Sequence, residues 1–98
     1  MYQQLDDDTL IRLTRIFKAL GEPTRLRILN LLCGGEYAVG DIAQQLGLSQ
    51  SAISHQLRIL KDLRLVKARR AGVSIYYTGD DEHVLGLLKQ AIDHVAHF

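Results

Sequence analysis

A single cysteine, Cys33, in 98 residues leaves no partner for an intrachain disulfide and fits a reducing compartment. Long apolar runs are also missing, so no stretch is expected to span a bilayer. The opening residues, Met1 to Asp8, have neither the basic nor the apolar region of a secretory signal, and the expected location is the cytoplasm. A charge excess is absent as well: 12 basic residues against 11 acidic ones give +1, so the chain as a whole is no polycation. Without repeats or low-complexity linkers, residues 1–98 are expected to form one domain. At 47% hydrophobic it has enough for a core, but a chain this short buries proportionally little surface and often leans on a partner.

The charge that is present is unevenly placed. Ser49 to Ser74 holds six bases (Arg58, Lys61, Arg64, Lys67, Arg69, Arg70) and one acid, Asp62, whereas acids gather at Asp6–Asp8 and Asp80–Glu82. A local basic surface on a near-neutral body points to nucleic acid. Within that stretch Ser49 is a good helix N-cap, and Ile53, Leu57 and Leu60 form one apolar stripe. Gln50, Ser51, Ser54, His55, Arg58 and Lys61 are left as candidate DNA-facing residues. A short helix over Asp41–Leu46 and a tight turn at Gly47-Leu48 precede it, giving a helix-turn-helix over 41–63. An amphipathic core helix with a solvated face fits the same segment, and the segment alone does not separate the two.

Around this unit, a first helix leads from the acids at 6–8 to Gly21 with Leu10, Leu13, Phe17 and Leu20 on one stripe. The only proline, Pro23, suits the first position of a second helix, which is apolar on most sides and stops at Gly34-Gly35. Cys33 at its end reads first as a small buried hydrophobe. Glu36–Val39 is an extended or irregular lead-in. Leu65–Arg69 and Ser74–Thr78 read as two strands joined through Arg70–Val73, a hairpin over 65–78 with a basic tip. Placed after a helix-turn-helix it is expected to be a wing, with Arg69 and Arg70 holding phosphates or entering a minor groove; a plain edge hairpin is the alternative. The expected fold is therefore mostly α with a small β-hairpin, a winged helix-turn-helix. The wide apolar faces of the first and last helices suggest a homodimer seam.

The last helix, 80–97, carries three of the four histidines. His94 and His97 share a face at i, i+3, and His83 points along the same stripe, with Asp81 at the helix mouth. Imidazoles and a carboxylate suit Zn(II) or Co(II), with Ni(II) less favoured. About 20 Å of helix separates residues 81 and 94, at ~1.5 Å per residue. One chain therefore cannot close a site with both pairs, but two antiparallel helices can, giving two sites per dimer. Scattered surface histidines are the bland alternative. His94 or His97 is expected to reach backbone between Lys61 and Leu65. Four protein ligands would leave no open position for catalysis, so an enzyme is not expected.

Ile16–Gly21, Arg25–Ile28 and Leu48–Leu57, taken with the Asp-x-His and His-x-x-His pairs, resemble the ArsR/SmtB family of metal-sensing repressors, and the ending looks most like its zinc and cobalt sensors. The resemblance implies a cytoplasmic homodimer that represses metal-efflux genes from a palindromic operator and leaves DNA when metal binds, with Asp81, His83, His94 and His97 as ligands. It also shows a departure, because Ala38 and Gly40 stand where the family's thiolate sensors carry cysteines. A repressor sensing thiol redox state through Cys33 is the alternative function.

Overall fold

A computed structural model describes residues 3–80 and 82–97. The elements run α1 (Asp7–Leu20), α2 (Pro23–Leu32), β1 (Tyr37–Ala38), α3 (Val39–Leu46), α4 (Gln50–Asp62), β2 (Val66–Ala71), β3 (Ser74–Gly79) and α5 (Glu82–Ala96). Local chemistry sets most of these boundaries. The Asp6 carboxylate accepts the Thr9 N–H at 2.7 Å and starts α1, and the Gly21 N–H closes it on the carbonyls of Phe17 and Lys18. Pro23 occupies the first turn of α2, where Glu22 accepts from the Arg25 N–H at 2.8 Å.

Both helices of the helix-turn-helix end in the same way. After α3, Gly47 is left-handed (φ 68) and the Leu48 N–H reaches back to the Ala43 carbonyl at 3.0 Å. After α4, Arg64 is left-handed (φ 59) and the Leu65 N–H reaches the Leu60 carbonyl at 2.9 Å. Each is a Schellman-type stop with a leucine following the left-handed residue. Glycine adopts that conformation freely; arginine does so at some cost.

The core lies where α2, α3 and α4 meet the base of the sheet. Ile28, Leu29, Ile42, Ile53, Leu57, Leu60, Leu65 and Val66 are fully buried. α2 packs on α1, α3, α4, β3 and α5, a central place that fits a helix apolar on most sides. No helix among the described residues is long and apolar enough to cross a membrane.

The sheet differs from expectation in two ways. It has three antiparallel strands in the order β1-β3-β2, because Tyr37 and Ala38 pair with Tyr77 and Tyr76. The lead-in before α3 is thus a strand, and α3 starts at Val39 rather than at Asp41. The hairpin is also longer than the 65–69 and 74–78 expected. Its ladder continues to Ala71↔Ser74, so the turn shrinks to Gly72-Val73, with Gly72 at φ 63. Arg70, expected in the connection, therefore sits on β2 opposite Ile75, next to Arg69, which pairs with Tyr76 on the strand as expected.

Candidate nucleic-acid interface and metal helix

Ser49 caps α4 by accepting the Ala52 N–H at 3.1 Å, and Ile53, Leu57 and Leu60 anchor the helix in the core. Gln50, Ser51, Ser54, His55, Arg58 and Lys61 are consequently all exposed. The angle of this helix is held by side chains from α2. Arg25 donates to the Gln56 side chain at 3.3 Å and to the Ala19 carbonyl at 3.2 Å, bridging α4 to the end of α1. Arg27 donates to the Leu46 carbonyl at 3.3 Å and secures the end of α3. At the other end of the pair, Gly40 on α3 faces the Gln50 side chain at the start of α4.

The pleat of the sheet separates the two wing arginines. Val66 and Ala68, with Gly79 and Tyr77 opposite, lie on the face packed towards the helices, and Arg70 continues that face beyond the core. Arg69 lies on the other face with Tyr76, Ala38 and, two residues before Ala38, Glu36. There Arg69 donates to both Glu36 carboxylate oxygens, at 3.0 and 2.6 Å, and its guanidinium lies 5.3 Å from the centre of the Tyr76 ring. These hydrogen bonds hold the Glu36 carboxyl below the usual carboxylate range and push Arg69 up. Among the described residues no carboxylate pairs with Arg70. Nothing local in sequence announces Glu36, which lies 33 residues from its partner.

His83 and His94 on α5 and His97 in the turn just after it are exposed, while Asp81 lies outside the described residues. His83 shares a shallow pocket with Arg64, Asp80 and Glu82. His97 does not reach the segment between Lys61 and Leu65. Its Nδ1 lies 2.7 Å from the Asp93 carbonyl one turn back, with the Asp93 carboxylate at 3.4 Å. Because a carbonyl only accepts, Nδ1 carries the proton and Nε2 is left for a ligand, the usual second-contact arrangement of a metal-binding imidazole. Among the described residues, no three His, Cys, Asp or Glu side chains of the one chain converge on a common point. His83 and His94 are eleven residues apart on one continuous helix, about 16 Å at ~1.5 Å per residue.

Beside the histidines, α5 turns an apolar face outward. With the end of α1 and the start of α2 it frames a groove of about 500 Å³ lined by Phe17, Leu20, Leu26, Leu88, Ile92 and Val95 among others. Leu10, Leu13, Phe17, Leu87, Ile92 and Val95 are all large apolar residues left exposed on α1 and α5.

Residues 22–68 match the pattern of the bacterial regulatory protein arsR family. The chain is 43% identical over 88 residues to a transcriptional repressor SmtB homolog of Synechocystis sp., covering 90% of this chain and 67% of that protein. It belongs to the ArsR family of bacterial transcriptional regulators.

Among solved structures, the homodimeric winged helix-turn-helix DNA-binding domain of Mb0332 from Mycobacterium bovis superposes with a TM-score of 0.83 at 38% identity, covering 100% of this chain and 96% of that one. The antimony-specific transcriptional repressor AntR superposes with a TM-score of 0.86 at 31% identity, over 97% and 86% of the two chains. The winged helix-turn-helix read from sequence is thus the fold. In this ArsR-family chain Cys33 ends α2, half-buried beside α5. Burial pushes its thiol up, against the opposing effect of Lys89. A raised thiol is the reverse of the low-pKa, exposed cysteine that redox sensing uses.

Proposed function

We propose that the chain is a metal-responsive repressor of the cytoplasm, acting as a homodimer. The apo dimer holds palindromic operator DNA and releases it on loading with Zn(II) or Co(II), which controls metal efflux or resistance genes. Gln50, Ser51, Ser54, His55, Arg58 and Lys61 would face the major groove and its phosphates, and the wing arginines Arg69 and Arg70 the flanking backbone. Asp81 and His83 of one protomer, with His94 and His97 of the partner subunit, would hold each ion, two per dimer. The donor set fits: nitrogen and oxygen ligands of borderline hardness, with the His97 ring already oriented by the Asp93 carbonyl. A bound ion would supply a four-point link between the two α5 helices.

One observation carries this reading: His83 and His94 lie near opposite ends of a single helix whose neighbouring face is apolar and exposed. Pairing α5 with its copy would bury that face and bring the pairs together in one step. The relation between sites is then reciprocal, and a coupling of about 1–3 kcal/mol lowers DNA affinity roughly 5- to 150-fold on loading. The thiol alternative has less support, since Cys33 is half-buried and its thiol raised.

Complementary variants test the ligand assignment. Asp81→Ala/His83→Ala and His94→Ala/His97→Ala homodimers each keep half a set at both sites and should bind zinc weakly. Their mixed heterodimer regains one complete site and should bind one zinc tightly, with tetrahedral nitrogen/oxygen spectra when cobalt replaces it. A confirmed heterodimer that recovers no tight site defeats the shared-site reading.

A further inference from the structure

The Arg69–Glu36 pair does something the repressor reading does not require. It occupies a guanidinium that a wing would use. We infer that Glu36 is a built-in competitor for DNA: it fills the phosphate-binding fork of Arg69 until a backbone phosphate displaces it. The inference rests on the reading of the hairpin as a DNA-contacting wing.

The geometry supports exchange rather than a permanent clamp. A carboxylate presents two oxygens to the guanidinium edge much as a phosphodiester does, so the bidentate contact at 3.0 and 2.6 Å is a stand-in of matching shape. Tyr76 supports the guanidinium from its face and can do so whichever anion occupies the edge. The pair is open to water, with Arg69 58% and Glu36 36% exposed at the side chain. Exposed ion pairs are weak and readily traded. Glu36 also sits just outside β1, so its side chain can turn away without breaking the ladder. Finally, Arg69 and Arg70 emerge on opposite faces of the same strand. A wing lying in a groove is flanked by two phosphate rows, one for each face. Arg70 is the arginine available at once, and Arg69 is available after Glu36 lets go.

The trade has a distinct signature in salt. In the wild type, Arg69 gains a phosphate while Glu36 is left to recover a cation, so this contact releases little net counterion. With glutamine at 36 the same contact releases its counterion in full.

Binding to a random-sequence duplex of about three helical turns, followed by fluorescence anisotropy across a NaCl series, tests the inference. Circular dichroism confirms that each variant is folded, and Glu36→Ala repeats the test without an acceptor. Glu36→Gln should tighten binding about two- to fivefold and steepen the log–log salt slope by up to about 0.9. In an Arg69→Gln background the same substitution should lose most of that effect. Arg70→Gln should weaken binding and flatten the slope in either background. If Glu36→Gln matches the wild type while Arg70→Gln still weakens binding, the pair enters the complex intact; the competitor idea fails and the wing stands. An undiminished Glu36→Gln effect without Arg69 reduces it to general charge and also overturns the inference. If neither Arg69→Gln nor Arg70→Gln alters binding, the wing reading itself falls, and the competitor with it.

Discussion

Replacing Phe17 by alanine should separate the protomers. Phe17 lies near the end of α1 and is 53% exposed in the single chain, at the rim of the apolar groove beneath α5. A phenylalanine buries about 150–250 Å², so close to ~100 Å² of this ring remains to be covered by a second copy. At ~25 cal/mol per Å² that is about 2.5 kcal/mol per protomer and about 5 kcal/mol per symmetric dimer. Alanine retains a small part of it. Since each 1.4 kcal/mol is tenfold, the dimer dissociation constant should rise by about three orders of magnitude. Sedimentation equilibrium over a micromolar concentration series would read the change directly. Val73 at the wing tip is 99% exposed, and Val73→Ala should leave the equilibrium where it was. A folded Phe17→Ala protein that dimerises as tightly as the wild type would show that the α1–α5 face is not the seam, and the shared metal site would lose its physical basis.

The recognition face gives a second prediction. Ser54 and His55 are exposed on α4, so the double alanine variant should lose preference for the operator over random duplex while its non-specific affinity changes little. Acid stability gives another. Asp6 and Glu22 are each held below the ordinary carboxylate range by backbone hydrogen bonds, from Thr9 and Arg25 respectively. A depressed folded pKa contributes stability that is present above the unfolded pKa and is lost as pH falls through the folded one. Thermal midpoints should therefore hold steady near neutrality and drop through the acid carboxylate range. Asp6→Asn with Glu22→Gln, which keeps side-chain acceptors at both positions but removes the titration, should flatten that drop.

The helices were legible because their ends are written locally. Asp6, Pro23, Gly47 and Ser49 each act on backbone within a few residues, and the structure uses all four. The end of α4 was less legible, because the residue that turns left-handed there is Arg64 rather than a glycine. Strand β1 was read only as an extended or irregular lead-in, since two residues carry no periodicity and its pairing with β3 spans about forty positions of sequence. The same non-locality hid Glu36. The hairpin was recognised from its β-branched and aromatic runs, but its turn was drawn too wide, because Arg70 and Ala71 were assigned to the connection when the ladder could carry them. In the candidate metal helix the spacing of His83, His94 and His97 is plain in sequence, and among the described residues no three metal-ligating side chains of one chain come together to use it.

The short strand β1 has a mechanical consequence. Ala38 is at once the last residue of β1 and the residue on which α3 begins, and β1 is hydrogen-bonded to the β3 side of the wing. The wing cannot swing without pulling the first helix of the helix-turn-helix, while α4 is tied to that helix through the core and to α2 through Arg25. Each protomer thus meets DNA as one stiff reading head, with little freedom to tilt its wing against its recognition helix. On the proposed reading, a metal bound at α5 would then have little to bend inside a head. It would act by changing the distance and angle between two heads, so an operator would sense it as a mismatch of half-site spacing and not as a loss of base contacts within either half.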